Sequence, residues 1–210
     1  EAKGEGVNIL VACECSGVVR DALIEQGHNA LSCDIQDTER DGPHYKGDVL
    51  DILDWGWDGM VAHPDCTRLT NSGVRWLHVP PKGVSLVELW CDLDDAAAFY
   101  SVLRDSDIPR KAIENPVMHK YARERINPGA RQVVQPWWFG DKAFKATGLE
   151  LIGLPPLVPT NKLIPPLKGT QEHKDWSFIH RASPGPDRKR LRSRTFQGVA
   201  DAMASQWFTI

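Results

Sequence analysis

Hydrophobic positions along this chain fall into short continuous runs separated by helical repeats. Residues Asn8–Cys13 carry Ile9, Leu10, Val11 and Ala12 in succession, the pattern of a strand buried on both faces. Val18, Val19, Ala22 and Leu23 then recur at helical spacing, with Ser16 expected as N-cap and Gly27 as the stop. Ala30–Asp34 and Gly59–His63 read as strands, as do Lys111–Asn115 and Gln132–Gln135. From Ser85 to about Arg104, Leu86, Leu89, Trp90, Leu93, Ala97, Tyr100 and Leu103 line one side of a helix. Alternating β and α units predict an α/β fold, a mostly parallel sheet with helices on both faces.

The pattern changes after Leu151. Five prolines between Gly153 and Gly169 exclude a sheet interior and predict an ordered surface excursion. Residues 171–190 are polar and lead into the basic run Arg188–Arg194, and Thr195–Trp207 predicts a closing amphipathic helix. No internal repeat or low-complexity tract interrupts the order.

Composition narrows the picture. With 210 residues, 41% of them hydrophobic, the chain suits one domain. That domain is expected over residues 8–207, with 1–7 a tag remnant or disordered start and about 153–194 an irregular excursion. The formal net charge of −3 gives no global basic field, so contact with nucleic acid would need local patches. No apolar run approaches the roughly 20 residues that span a bilayer, and Glu1–Gly6 lacks the features of a signal peptide. Five scattered cysteines, an odd number without a Cys-x-x-Cys pair, suggest neither a disulfide framework nor zinc; no metal is expected, and a cytoplasmic setting is.

In open α/β sheets, ligands bind beyond the carboxyl ends of the strands, and the candidate chemistry clusters there. Strand one runs into Glu14, Cys15, Ser16 and Gly17, a tight turn without GxGxxG or a P-loop. Asp34 ends the second strand, where a carboxylate can accept from ribose hydroxyls or cap a loop. Asp48 can accept from an adenine amino group or serve as N-cap of the Leu50–Trp55 turn. His63-Pro64-Asp65-Cys66-Thr67 follows the next strand; Cys66 is a candidate nucleophile there, or a buried structural thiol. Glu114 and Asn115, before Pro116, can read the polar edge of a base or deliver a proton, or simply form a turn. The Arg188–Arg194 run, with Lys162, Lys168 and Lys174, is either a phosphate contact or a solvated linker. Trp76 and Trp137–Phe139 are stacking candidates or core.

Taken in order, these blocks resemble the DNA cytosine-5 methyltransferases, particularly short phage- and prophage-type members. The cofactor loop Phe-x-Gly-x-Gly-Gly is similar to Ala12–Gly17, and Asp34 and Asp48 stand at the two acidic positions. The Pro-Pro-Cys loop resembles Pro64-Asp65-Cys66, its Ser-x-x-Gly tail Thr70–Gly73, the Glu-Asn-Val block Glu114–Pro116, and the final helix Phe196–Ala200 onward. The resemblance implies a Rossmann-like class I methyltransferase fold that uses S-adenosyl-L-methionine. It places the cofactor on Glu14, Cys15, Ser16, Gly17, Asp34, Ile35, Asp48, Val49, Pro64 and Gly198. Cys66 would add to C6 of cytosine and Glu114 would hold N3 and N4. Asn115, Ser72, Arg75, Lys145, Arg192 and Arg194 would contact the substrate.

Three departures matter. Cys13 or Glu14 and Cys15 replace the first glycines of the loop. Asp65 replaces the second proline, and its carboxylate should raise the thiol's pKa unless it points away. The family's Gln-x-Arg-x-Arg strand has no clear counterpart, leaving Arg131, Lys142 or Lys145 to supply the positive charge. Pro155–Arg190 is too short for a target-recognition domain, so recognition would be relaxed, short or supplied by a partner. The implied substrate is DNA with a flipped-out cytosine; a free nucleotide such as dCMP is the alternative. A catalytically impaired DNA- or protein-binding relative is the reading from another class. Amino-group methylation would want Asp/Asn-Pro-Pro-Tyr/Phe at strand four.

Overall fold

The computed structural model describes residues 6–115, 117–183 and 185–208, without the side chains of residues 186, 187 and 189. Most of the expected 1–7 start, and Pro116, lie outside the described residues. One sheet holds β1 (Asn8–Ala12), β2 (Asn29–Asp34), β3 (His44–Lys46), β4 (Gly59–Ala62), β5 (Lys111–Glu114), β6 (Arg131–Val134) and β7 (Thr147–Ile152). Their order across the sheet is β3-β2-β1-β4-β5-β7-β6. The first five pair in parallel, while β7 runs antiparallel to both β5 and β6. This is the mostly parallel, Rossmann-like α/β sheet expected from the sequence.

The helices are α1 (Val18–Glu25), α2 (Leu86–Asp105), α3 (Lys120–Ile126), α4 (Gln171–Trp176), α5 (Phe178–Arg181), α6 (Pro186–Ser193) and α7 (Gln197–Trp207). Successive strand residues point to opposite faces, and each face is covered. Ile9, Val11, Val61 and Ala112 pack with Val19 and Leu23 of α1 and Val199, Met203 and Trp207 of α7. Leu10, Met60 and Ile113 pack instead with Leu89, Leu93 and Tyr100 of α2 and with Ala122 and Ile126 of α3. Two covered faces explain why the central strands read as unbroken apolar runs.

Several expectations change. Ser16 is not the N-cap of α1; Gly17 is, at φ 71°, without a side-chain cap. Glu14 does the capping, its Oε1 accepting from the Val19 N–H at 2.9 Å. Strand β7 was not anticipated. Its Gly148 reads as a strand breaker, yet a Cβ there would lie 2.4 Å from the Asn115 carbonyl oxygen, so close packing demands glycine. Its Glu150 is buried but satisfied, accepting from Tyr100 Oη and from the Gly129 N–H, each at 2.7 Å.

The proline-rich excursion is ordered without regular structure. Trp207 Nε1 donates to the Pro155 carbonyl at 2.9 Å, the Gln132 side chain brackets the Leu157 backbone, and Gln206 does the same for Val158. No helix among the described residues is long and apolar enough to cross a membrane.

Candidate active site

Because β1, β2, β4 and β5 are parallel, their carboxyl ends share one edge. The reversal of β7 brings the start of that strand, with Lys145 just before it, to the same edge. Glu114, at the end of β5, lies between His63 and Lys145. Its Oε2 is 2.6 Å from His63 Nδ1, and its Oε1 is 3.6 Å from Lys145 Nζ. All three side chains are nearly buried. Burial alone would raise the carboxyl's pKa, but Lys145 and the His63 hydrogen bond outweigh it and hold Glu114 at about 2. Glu114 is therefore an ionised acceptor.

Cys66 sits on a turn just beyond β4. Asp65 Oδ1 accepts from the Thr67 N–H at 2.7 Å, and the Cys66 carbonyl accepts from the N–H groups of Leu69 and Thr70. Burial, then Glu114, then Asp65 push the thiol's pKa up to about 11, with Lys145 opposing them. The expected influence of Asp65 is present, but burial and Glu114 both exceed it. Asn115 is fully buried, its N–H donating to the Gly148 carbonyl at 2.7 Å, while neither polar atom of its side-chain amide has a hydrogen-bond partner among the described residues. A cavity of about 10 Å³, lined by Glu114, Lys145, Thr147, Thr195, Phe196, Val199 and Met203, adjoins the carboxylate. It has room for about one water.

The residues expected to bind the cofactor divide into those at the β1 and β2 ends and those with packing roles. Cys13 adopts φ 59°, which is unusual for a residue with a Cβ. Glu14 is 5% exposed; Oε1 accepts from Ser16 Oγ and Val19 N–H, and Oε2 is buried with no hydrogen-bond partner among the described residues. The half-buried Cys15 offers its carbonyl to the Glu39 N–H at 2.7 Å. Gly17 is needed for its positive φ and because a Cβ would press on Arg20 at 2.6 Å. Asp34 Oδ1 accepts from the Gln36 N–H at 2.9 Å, and Ile35 is 76% exposed. Asp48 caps the turn after it, accepting from the Leu50 N–H at 3.0 Å, and Val49 is core. Pro64 is buried between His63 and the Cys66 turn. Gly198 has a packing role, since a Cβ there would lie 2.1 Å from the Phe139 carbonyl oxygen.

Of the two lysines named as sources of positive charge, the structure draws in Lys145, also an expected substrate contact, and leaves Lys142 exposed. Arg194 contributes its carbonyl, which accepts from Lys145 Nζ at 3.0 Å, while its side chain is exposed, as is that of Arg192. Ser72 is exposed and bonds Thr70, and Arg75 stacks on Trp76 at 3.9 Å. Phe139 is core. Sequence reasoning weighed His63 only as a zinc ligand and set that aside, although its place directly after β4, on the same edge as Glu114, was the available signal for this pairing. Among the described residues, no group of three or more His, Cys, Asp or Glu could hold a metal ion.

Comparison with solved structures gives distant likenesses. The Entamoeba histolytica methyltransferase EhMeth matches at 14% identity and TM-score 0.47, over 75% of this chain and 58% of that one. A triply substituted DNMT2 of Spodoptera frugiperda matches at 15% and 0.37, over 79% of this chain and 57% of that one. The S. pombe Dnmt2 methyltransferase matches at 13% and 0.38, over 85% of this chain and 56% of that one. The chain thus spans less than three-fifths of the length of these proteins. No family model and no curated protein matches it.

Proposed function

We propose that the chain transfers a methyl group from S-adenosylmethionine to C5 of cytosine, in DNA whose target base has been turned out of the helix. The observation carrying this reading is the grouping at one sheet edge of a half-buried thiol, Cys66, with the ionised Glu114 and Lys145 beside it.

The residues at the β1 and β2 ends fit the cofactor. A buried carboxylate oxygen without a partner is costly, and among the described residues Glu14 Oε2 has none, which suits a ligand with cationic groups. Asp34, ending β2, suits ribose hydroxyls. When bound, the cofactor supplies an electrophilic methyl group.

The chain's own residues do the rest. Cys66, once deprotonated, adds to C6 and makes C5 nucleophilic. Glu114 accepts from the exocyclic amine, and the cationic Lys145 offsets charge that develops on the ring. The basic run on α6 supplies phosphate contacts. The shortness of the 153–194 segment favours a small recognition footprint and makes dCMP the second substrate to test.

The test is incubation with methyl-labelled S-adenosylmethionine and either cytosine-containing DNA or dCMP. Label should appear at C5 of cytosine in DNA, and Cys66→Ala should abolish transfer while leaving cofactor binding intact. Transfer by Cys66→Ala, or label on an exocyclic nitrogen, refutes the reading; label on dCMP alone moves it to the free nucleotide.

A further inference from the structure

A carboxylate kept ionised by its neighbours accepts hydrogen bonds and has no proton to give. Glu114 is such a group, with His63 on Oε2 and Lys145 facing Oε1. Addition of a thiolate at C6 nevertheless places negative charge on ring N3, where a proton donor is needed.

Lys145 is the donor at hand. One of its N–H bonds goes to the Arg194 carbonyl at 3.0 Å, and Nζ stands 3.6 Å from Glu114 Oε1. That separation is too long for a made hydrogen bond. A donor and an acceptor side by side match the cytosine edge: N3 accepts from Lys145, and the exocyclic amine donates to Glu114. His63 completes the arrangement. Since the carboxylate only accepts, Nδ1 is protonated and donates to it; Nε2 is buried and has no hydrogen-bond partner among the described residues. Among the described residues, the ring's polar contact is Glu114 alone, which makes aiming that carboxylate its evident task.

We propose that Glu114 works as an ionised acceptor, that Lys145 protonates N3 as Cys66 adds, and that His63 is a positioning residue for Glu114. This rests on the cytosine reading above. The Cys66 thiolate pair forms the S–C6 bond, the C5=C6 pair shifts to C4=C5, and the C4=N3 pair falls on N3, which takes a proton from Lys145. The C4=C5 pair then forms the bond from C5 to the donated methyl as that methyl's bond to the donor sulfur breaks and leaves its pair on sulfur, the N3–H pair restores C4=N3, and the N3 proton returns to Lys145. Finally the C5 proton leaves to water, C5=C6 re-forms, and the thiolate departs.

Four variants of the full chain test this, each checked for folding by circular dichroism. Lys145→Met should lower kcat by about 10²–10⁴-fold with cofactor affinity unchanged. His63→Leu should lower kcat on the order of 10²-fold by misaiming Glu114. It should also move the acid limb of the kcat–pH profile upward, because Glu114 loses a donor. His63→Asn, whose amide can still donate, should restore much of both, and Lys145→Arg should lose kcat because its guanidinium does not give up a proton. A Lys145→Met enzyme within about threefold of the parent, or an unmoved profile in His63→Leu, overturns the proposal. A second readout needs no turnover: carbon-13 NMR should find Glu114 ionised at neutral pH, and a protonated carboxyl there overturns it equally. If Glu114 is ionised but the parent methylates no cytosine, the cytosine reading fails and the Lys145 step with it, while the His63–Glu114 pairing stands.

Discussion

Arg20 offers the sharpest test of how the β1 and β2 loops are held. It lies on α1, is fully buried, and reaches across to the segment after β2. Its Nε and Nη2 donate to Asp21 Oδ1 at 2.9 and 2.7 Å, and Nη1 to Ser32 Oγ and Thr38 Oγ1, each at 3.2 Å. Nη2 also donates to the Arg40 and Asp41 carbonyls at 3.2 Å. Glycines at 17 and 42 leave space for it, since a Cβ at either would come within 2.7 Å of the guanidinium. In Arg20→Met, Ser32 keeps the Pro43 carbonyl and His44, and the Arg40 carbonyl keeps Thr38. Asp21 keeps only the longer contact to Arg40, at 3.4 Å, and the Asp41 carbonyl loses its donor to water. Breaking a buried ion pair from one side costs about 3–5 kcal/mol. Because Asp21 is one-quarter exposed, the low end applies, about 3 kcal/mol. For a chain of this size that lowers Tm by roughly 6–12 °C. Calorimetry measures the shift, and hydrogen exchange at the Glu39 amide, which donates to Cys15, reads the loop itself. A Tm change under about 2 °C, against that expectation, refutes the clamp. Unaltered Glu39 exchange in a destabilised variant refutes its grip on the loop.

The remaining expectations follow from the edge of the sheet and from its buried acids. Peptide-resolved alkylation should find Cys66 slow at neutral pH and accelerating toward pH 11, with the exposed Cys91 modified first; half-maximal reaction of Cys66 near pH 8, an ordinary thiol's range, contradicts the burial argument. Glu114 titrates at about 2 in the folded chain against 4.5 ordinarily. The stability it contributes is thus fully present above about pH 4.5 and lost as pH falls from there toward 2. Acid titration of Glu114→Gln should lack that part of the loss, and an identical acid profile counts against the pairing. Tyr100→Phe removes the hydroxyl donor from the buried Glu150. It should cost about 2 kcal/mol, or roughly 4–8 °C in Tm; a shift of about 1 °C or less on that scale means Glu150 does not depend on it.

What the sequence made legible depended on whether one chain segment carried its own explanation. The apolar runs of β1 and β4 announce themselves because both faces are covered, and the long α2 helix does so through its repeat. Strand β7 did not, because Gly148 and Glu150 make sense only once Asn115, Gly129 and Tyr100 are beside them. Missing β7 hid the logic of Lys145: only a reversed strand delivers a residue from its amino end to the edge where parallel strands deliver theirs from the carboxyl end. The same asymmetry runs through the candidate site. Cys66 and Glu114 could be singled out by residue type and order, but whether Glu114 gives or takes a proton is decided by His63 and Lys145, which lie 51 positions before it and 31 after it. A motif names the group that touches the substrate; the protonation state of that group belongs to its neighbours, and those are set by the fold.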